Sequence, residues 1–192
     1  MLGYMLAVLA AATAPTGQTA IDRMGDLATG ACWQIESRTV AVPQPSDIDG
    51  LDALVEGYGL TPGLSPKAFE RMGEGGGMAN RATMGSTDVG EDTLVIAFGG
   101  QVPGCTVMLL TTAGNSSEYD LVEALATAGW KEVRPGMSQQ RGFVGKRMLA
   151  RRDESGQPYI ANVLTIMKPG LDWRHGITIV KVPPHVKLPE GF

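Results

Sequence analysis

The residues best suited to catalysis follow one another near the C-terminus. Asp172, Trp173, Arg174 and His175 bring a carboxylate, an indole, a guanidinium and an imidazole into one short stretch. A base beside an acid can activate water, so Asp172 and His175 are the candidate catalytic residues of a hydrolase. Loops also collect such side chains for turns and solvation, and no G-x-S-x-G motif supplies a serine. The sequence therefore favours a protein that is not an enzyme, with the hydrolase as the alternative.

Metal and cofactor motifs do not occur in the sequence. The two histidines, His175 and His185, have no HxH or HExxH spacing, and the two cysteines form no CxxC. Residues 73–90 are rich in glycine, but they contain no Gly-Lys-Ser/Thr or GxGxxG pattern and follow no predicted strand. We expect no metal and no cofactor, and we interpret this stretch as a surface loop that could contact a partner.

Basic residues in the C-terminal half form a candidate binding surface. Four of them lie on one predicted strand: Lys146, Arg147, Arg151 and Arg152. Alternation places Arg147 and Arg151 on one face and the other two on the opposite face. A solvated edge strand explains this pattern, and an acidic protein or an anionic ligand is the alternative partner.

The distribution of charge argues against nucleic acid as a partner. The whole chain has 16 Lys plus Arg against 20 Asp plus Glu, a net charge of −4. Residues 1–92 carry 5 basic and 12 acidic side chains, whereas the rest carries 11 basic and 8 acidic ones. A chain that is acidic overall, and in which no aromatic pairs interleave the clustered basic residues, has no general attraction to nucleic acid. The two halves are expected to pack side by side.

The first fourteen residues, MLGYMLAVLAAATA, resemble a secretory signal peptide, because they lack charged side chains and end in small residues. No Lys or Arg precedes the apolar run, and Pro15 would hinder cleavage after Ala14, which favours cleavage after Ala12. The run is shorter than the roughly 20 residues that span a membrane. We therefore expect a periplasmic or secreted protein with no transmembrane span after leader removal. The alternative is an N-terminal helix packed on the domain.

The two cysteines, Cys32 and Cys105, suit an oxidising compartment and are predicted to form one disulfide. In the chain-entropy model, closing a loop of this length stabilises the fold by about 4 kcal/mol. The alternative is a pair of reduced, buried thiols.

The best-defined structural unit covers residues 93–130. Two apolar strands, 93–98 and 105–112, are joined by a glycine-rich turn and form a predicted hairpin. A helix over 117–128 follows, with Gly129 at the position of a left-handed cap and Trp130 folding back on the last turn. An anion site at the start of this helix is the alternative to an ordinary cap.

Three helices are predicted before this unit. The first opens at Thr19, where Asp22 completes a capping-box spacing, and its apolar stripe includes Cys32. The second is capped by Asp47 and ends at Gly59. The third is short, starting at Ser65-Pro66 and ending near residue 72.

The remaining chain reads as strands. Residues 143–152 and 159–167 form a second hairpin, 177–182 form a last strand, and 183–192 form an extended proline-rich tail. The predicted fold is α+β, with N-terminal helices packed on a mainly antiparallel sheet of about five strands from the C-terminal half. One domain, 15–182, comprises a helical part (19–72), a glycine-rich loop (73–92) and a sheet part (93–182). Its expected role is binding or structural.

Overall fold

A computed structural model describes residues 18–72, 83–99, 104–111, 118–134, 143–166 and 173–186 of the chain. These residues form an α+β fold with one antiparallel sheet of eight strands. The mixed class and the antiparallel pairing confirm the prediction, while the number of strands exceeds the five expected. The predicted leader, the start of the glycine-rich stretch and the last six residues lie outside the described part of the chain.

The first helix begins as its capping box requires. Asp22 N–H donates to the Thr19 hydroxyl at 3.1 Å, and Thr19 N–H donates to the Asp22 carboxylate at 3.1 Å. The helix runs through α1 (Ala20–Asp26), a π-helical segment (Leu27–Cys32) and α2 (Trp33–Ser37), ending at Arg38 with a left-handed φ of 58°. Its predicted apolar stripe is buried: Met24, Leu27, Ala28, Ala31, Cys32 and Ile35.

The other three predicted helices are confirmed. Helix α3 spans Ile48–Gly57, and the Asp47 carboxylate accepts from Gly50 N–H at 3.0 Å. Helix α4 spans Pro66–Met72, and the Ser65 hydroxyl accepts from Ala68 N–H at 3.1 Å. Helix α5 spans Glu118–Thr127. The loop before α5 lies outside the described residues, so the anion-site alternative there remains untested.

Eight strands make up the sheet: β1 (Thr61–Pro62), β2 (Thr83–Val89), β3 (Asp92–Phe98), β4 (Cys105–Leu110), β5 (Lys131–Arg134), β6 (Phe143–Arg152), β7 (Pro158–Ile166) and β8 (Trp173–Lys181). Both predicted hairpins, β3–β4 and β6–β7, are confirmed.

Three features of the sheet correct the sequence interpretation. Residues 83–89, predicted as part of the glycine-rich loop, form β2, which pairs with β3 along its whole length. The last strand begins at Trp173 rather than at 177, because β8 pairs with both β4 and β7 on either side of His175. The strands lie in the order β1-β2-β3-β4-β8-β7-β6-β5 across the sheet. The short edge strands β1 and β5 were not predicted, and β1 lies within the segment 19–72 that was expected to be helical, so the sheet does not come from the C-terminal half alone.

The order of the elements shows an internal duplication. Helix α3 is followed by strands β1–β4, with α4 between β1 and β2, and helix α5 is followed by strands β5–β8. The two four-stranded units meet at β4 and β8, which pair antiparallel. Each helix ends in the same way, with a glycine at positive φ (Gly59, 71°; Gly129, 86°) followed by a buried large side chain. The matched buried pairs are Leu51 with Leu121, Val55 with Leu125, and Leu60 with Trp130.

The two faces of the sheet are covered differently. The larger apolar cluster joins the first helix, α3 and α5 to one face, which includes Leu94, Ile96 and Val107. The smaller cluster joins α4 to the opposite face of β2–β4, through Ala68, Val95 and Met108 among others. Strands β3 and β4 are therefore buried on both faces, as their continuous apolar sequences predict.

Gly85 on β2 allows α3 to approach the sheet closely. A Cβ added at this position would lie 2.4 Å from Val55 Cγ1, well inside van der Waals contact. We expect Gly85→Ala to lower the free energy of unfolding by about 1–3 kcal/mol, the usual cost of overpacking. Urea denaturation measures this loss, and adding Val55→Ala should recover part of it. A Gly85→Ala variant as stable as the wild type would contradict the packing described.

Candidate functional site

The disulfide predicted from the sequence is confirmed: Cys32 and Cys105 are bonded, with their Cα atoms 5.1 Å apart. Cys32 lies on the buried side of the first helix and Cys105 is the first residue of β4. Cys105 is paired with Phe98 on β3 and with Ile179 on β8. The bond therefore joins the helix to the centre of the sheet, at the end where β3 stops and β8 approaches its last residues.

A cavity of about 630 Å³ opens beside this cross-link. We call it the helix-end cavity, and its walls are the C-terminal end of α2, the segment that follows it, and the last residues of β3 and β8. It is lined by Ile35, Glu36, Arg38, Val40, Ala41, Val42, Gln44, Phe98, Gly99 and Lys181. Its volume lies within the roughly 300–1,000 Å³ typical of small-molecule sites.

Acidic and basic side chains both line the helix-end cavity. Glu36 is half-buried at the end of α2, Arg38 follows it at the helix cap, and Lys181 ends β8. No salt bridge or side-chain hydrogen bond joins these three residues to one another or to other described residues. Burial raises the pKa of the Glu36 carboxyl, and the positive charge of Arg38 opposes that rise only in part.

Beside Lys181, the paired residue on β7 is Tyr159, whose ring packs edge-on against Trp33 with centroids 5.1 Å apart. Its hydroxyl donates to the Asp153 carboxylate at 3.2 Å. Burial raises the pKa of the Tyr159 hydroxyl, and the negative charges of Asp153 and Glu36 raise it further. Glu36 therefore lies close enough to act electrostatically on the Tyr159 hydroxyl as well as on Arg38.

The charge on Glu36 has a measurable consequence for stability. Because burial raises the pKa of this carboxyl, the folded protein keeps the proton to higher pH than the unfolded chain does. The resulting stability is present at low pH and is lost as the pH rises through the raised pKa. We expect Glu36→Gln to be more stable than the wild type near pH 7 and to lose that advantage at acidic pH.

Urea denaturation across a pH series measures this difference. Glu56→Gln, at an exposed glutamate on α3, is the matched control and should not change the pH dependence. A Glu36→Gln variant whose stability follows the wild type at every pH would show that the Glu36 carboxyl is not desolvated by its surroundings.

The predicted catalytic pair is described only in part. Asp172 lies outside the described residues, so its distance from His175 is not tested. The His175 ring is 1% exposed on β8, and its Nδ1 lies 3.0 Å from the Thr165 hydroxyl on β7. His175 therefore lies within the sheet, where it is paired with Leu109 on β4 and Thr165 on β7, rather than in the loop expected from the sequence.

The four predicted binding residues lie on two faces of β6, as alternation requires. Arg147 contacts Glu132 at 2.9 Å and lies 4.8 Å from the Tyr119 ring, while Arg151 lies 4.2 Å from the Trp33 ring. Arg152 donates to the Gly156 carbonyl at 2.8 Å. Lys146 is exposed on the face opposite Arg147. Three of the four side chains therefore have partners within the chain.

A second, smaller cavity of about 390 Å³ lies at the β1 edge of the sheet. Its walls are mainly apolar and include Ile48 and Phe69, each 66% exposed. Asp52 is the one charged residue in its lining. This cavity has fewer polar groups to orient a ligand than the helix-end cavity has.

The sequence interpretation did not identify the helix-end cavity. Its charged residues belong to three separate elements, and Glu36 and Arg38 resemble ordinary residues at a helix end. The signal that was available is the position of Cys32, one turn before Glu36 on the same helix.

Comparison with models of known protein families, with curated proteins and with solved structures gives no match for this chain. Within the described ranges, no helix is long and apolar enough to cross a membrane. The same part of the chain contains no group of three or more His, Cys, Asp or Glu residues that could hold a metal ion.

Proposed function

We propose that this chain is an exported binding protein whose ligand occupies the helix-end cavity. The observation that carries the proposal is the Glu36 carboxyl, which is half-buried and forms no salt bridge or side-chain hydrogen bond with the described residues, although the charge of Arg38 acts on it. Arg38 and Lys181 line the same cavity, are exposed and likewise form no salt bridge with the described residues. Leaving a charged group partly desolvated and without a salt bridge costs free energy, and a bound ligand group of opposite charge would offset that cost.

Export is supported by two observations of different kinds. A disulfide such as Cys32–Cys105 persists mainly in extracytoplasmic compartments. The first fourteen residues have the composition of a secretory leader. The same disulfide joins the helix that ends at the cavity to β4, and Cys105 on β4 is paired with Phe98, which lines the cavity.

A binding role is favoured over hydrolysis by the surroundings of His175. A general base must reach the proton that it removes, and this imidazole is buried and contacts a threonine hydroxyl. The helix-end cavity, in contrast, has charged groups that are open to a ligand.

Ligand binding can be tested with paired tryptophan substitutions. Ala41 and Ala53 are both exposed alanines, but only Ala41 lines the helix-end cavity. We expect small polar metabolites, screened by thermal shift, to include compounds that stabilise the wild type and Ala53→Trp but not Ala41→Trp. If every stabilising compound acts equally on both variants, or if none stabilises the wild type, the helix-end cavity is not a ligand site.

A further inference from the structure

We infer that the ligand of the helix-end cavity is a zwitterion, a short peptide or an amino acid with a free amino group and a free carboxylate. This inference rests on the proposed function and specifies its ligand. It follows from the signs of the three charges, of which Glu36 is half-buried and Arg38 and Lys181 are exposed, and from the backbone groups beside them.

The charges of the cavity discriminate between ligand classes. A simple anion could contact Arg38 and Lys181, but Glu36 would repel it and would stay unpaired. A simple cation could pair with Glu36, but the two basic residues would repel it. A neutral ligand would satisfy none of the three. Only a ligand that carries both charges pairs every group, with its carboxylate at the arginine or lysine and its ammonium at Glu36.

The segment between α2 and α3 provides the groups that a peptide backbone would need. Residues 41–44 belong to no helix or strand, and Ala41, Val42 and Gln44 line the cavity. Within the described chain, no backbone hydrogen bond involves Ala41 or Val42, whereas Val40 N–H donates to the Gln34 carbonyl at 3.4 Å. Backbone N–H and C=O groups without an intramolecular partner, such as those of Ala41 and Val42, can pair with the backbone of a bound peptide.

The apolar residues of the cavity indicate which side chains the ligand carries. Ile35, Phe98 and Val42 line the cavity, and Val42, which is 39% exposed, presents the most accessible surface of the three because Ile35 and Phe98 are buried. These surfaces suit small aliphatic side chains rather than charged ones. A cavity of about 630 Å³ also offers more room than a single aliphatic amino acid fills, which favours the peptide over the free amino acid.

The test uses the purified, oxidised protein and isothermal titration calorimetry. The probes are the tripeptide Val-Ala-Val, its N-acetylated form, its C-terminally amidated form and the form blocked at both ends, together with free L-valine. We expect the free tripeptide to bind and each single block to weaken binding by roughly tenfold or more, because each removes a charge-assisted contact. Blocking both ends should abolish binding.

Variants assign each end of the ligand. Glu36→Gln should lose the preference for a free amino group while keeping the preference for a free carboxylate. Arg38→Gln combined with Lys181→Gln should show the reverse, and Glu56→Gln should behave as the wild type. Thermal unfolding of each variant establishes that it is folded. Loss of both preferences in Glu36→Gln would overturn the assignment of the two ends.

The remaining outcomes separate this inference from the proposed function. Binding of L-valine with the same dependence on both charges would support the zwitterion and identify the smaller source. Equal binding of free and blocked peptides would overturn the zwitterion. If no probe binds while the metabolite screen yields ligands excluded by Ala41→Trp, the zwitterion is wrong and the binding function stands. If neither experiment yields a ligand, both proposals fail.

Discussion

Replacing Cys32 and Cys105 together by alanine is expected to lower the free energy of unfolding by about 4 kcal/mol. The bond closes a loop with a sequence separation of 73, so its loss releases a long segment in the unfolded chain. It also frees the first helix from the start of β4. Alanine is the suitable replacement because both positions are fully buried, where a serine hydroxyl would lack a partner.

Urea denaturation with and without a thiol reductant gives the measurement its control. The wild type should lose stability in reductant and approach the double alanine variant, whose own stability should not change. A wild type that unfolds at the same urea concentration in both conditions would contradict a stabilising role for the bond.

Trp130→Ala is expected to lower the free energy of unfolding by about 3–5 kcal/mol, the range for removing a large aromatic side chain from a core. Trp130 is 2% exposed, and its ring packs edge-on against Trp33 with centroids 5.5 Å apart. It follows Gly129, the glycine at the end of α5, and is buried there, as Leu60 is buried after Gly59 at the end of α3.

Trp130→Phe is the matched control for this substitution. The indole Nε1 of Trp130 is buried with no hydrogen-bond partner among the described residues, so phenylalanine removes an unsatisfied donor while keeping most of the apolar volume. We expect Trp130→Phe to cost far less than Trp130→Ala in urea denaturation. Equal losses for the two variants would show that the volume of the ring is not what stabilises this position.

Local signals in the sequence predicted the helices well. The capping box at Thr19, the Asp47 cap and the Ser65-Pro66 start each depend on contacts within a few residues, and each is confirmed. The disulfide was also predictable, because Cys32 falls on an apolar stripe and Cys105 begins an apolar strand. In such cases the physical cause lies in the neighbouring sequence.

Long-range pairing limited the prediction of the sheet. Residues 83–89 contain a glycine and four polar side chains, which are typical of a loop, but in the fold Met84, Gly85 and Ser86 are buried. His175 was predicted to lie in a loop before the last strand, yet it pairs with β4 on one side and β7 on the other. Neither partner strand can be identified from the local sequence.

The duplication and the cavity depend on comparisons between distant segments. The shared spacing of Leu51, Val55 and Gly59 with Leu121, Leu125 and Gly129 is visible in the sequence once the two helix ends are aligned. The helix-end cavity left no comparable pattern, because its charged groups come from α2, the following turn and the end of β8.

We propose that the chain is exported and that its oxidised Cys32–Cys105 bond fixes the helix that ends at the binding cavity to the sheet. Intact-mass spectrometry of the protein from its native source, alkylated with and without prior reduction, tests that claim most directly. We predict a chain that begins near residue 13 and takes up two alkyl groups only after reduction. A chain that still begins at Met1 and is alkylated at both cysteines without reduction would contradict the claim.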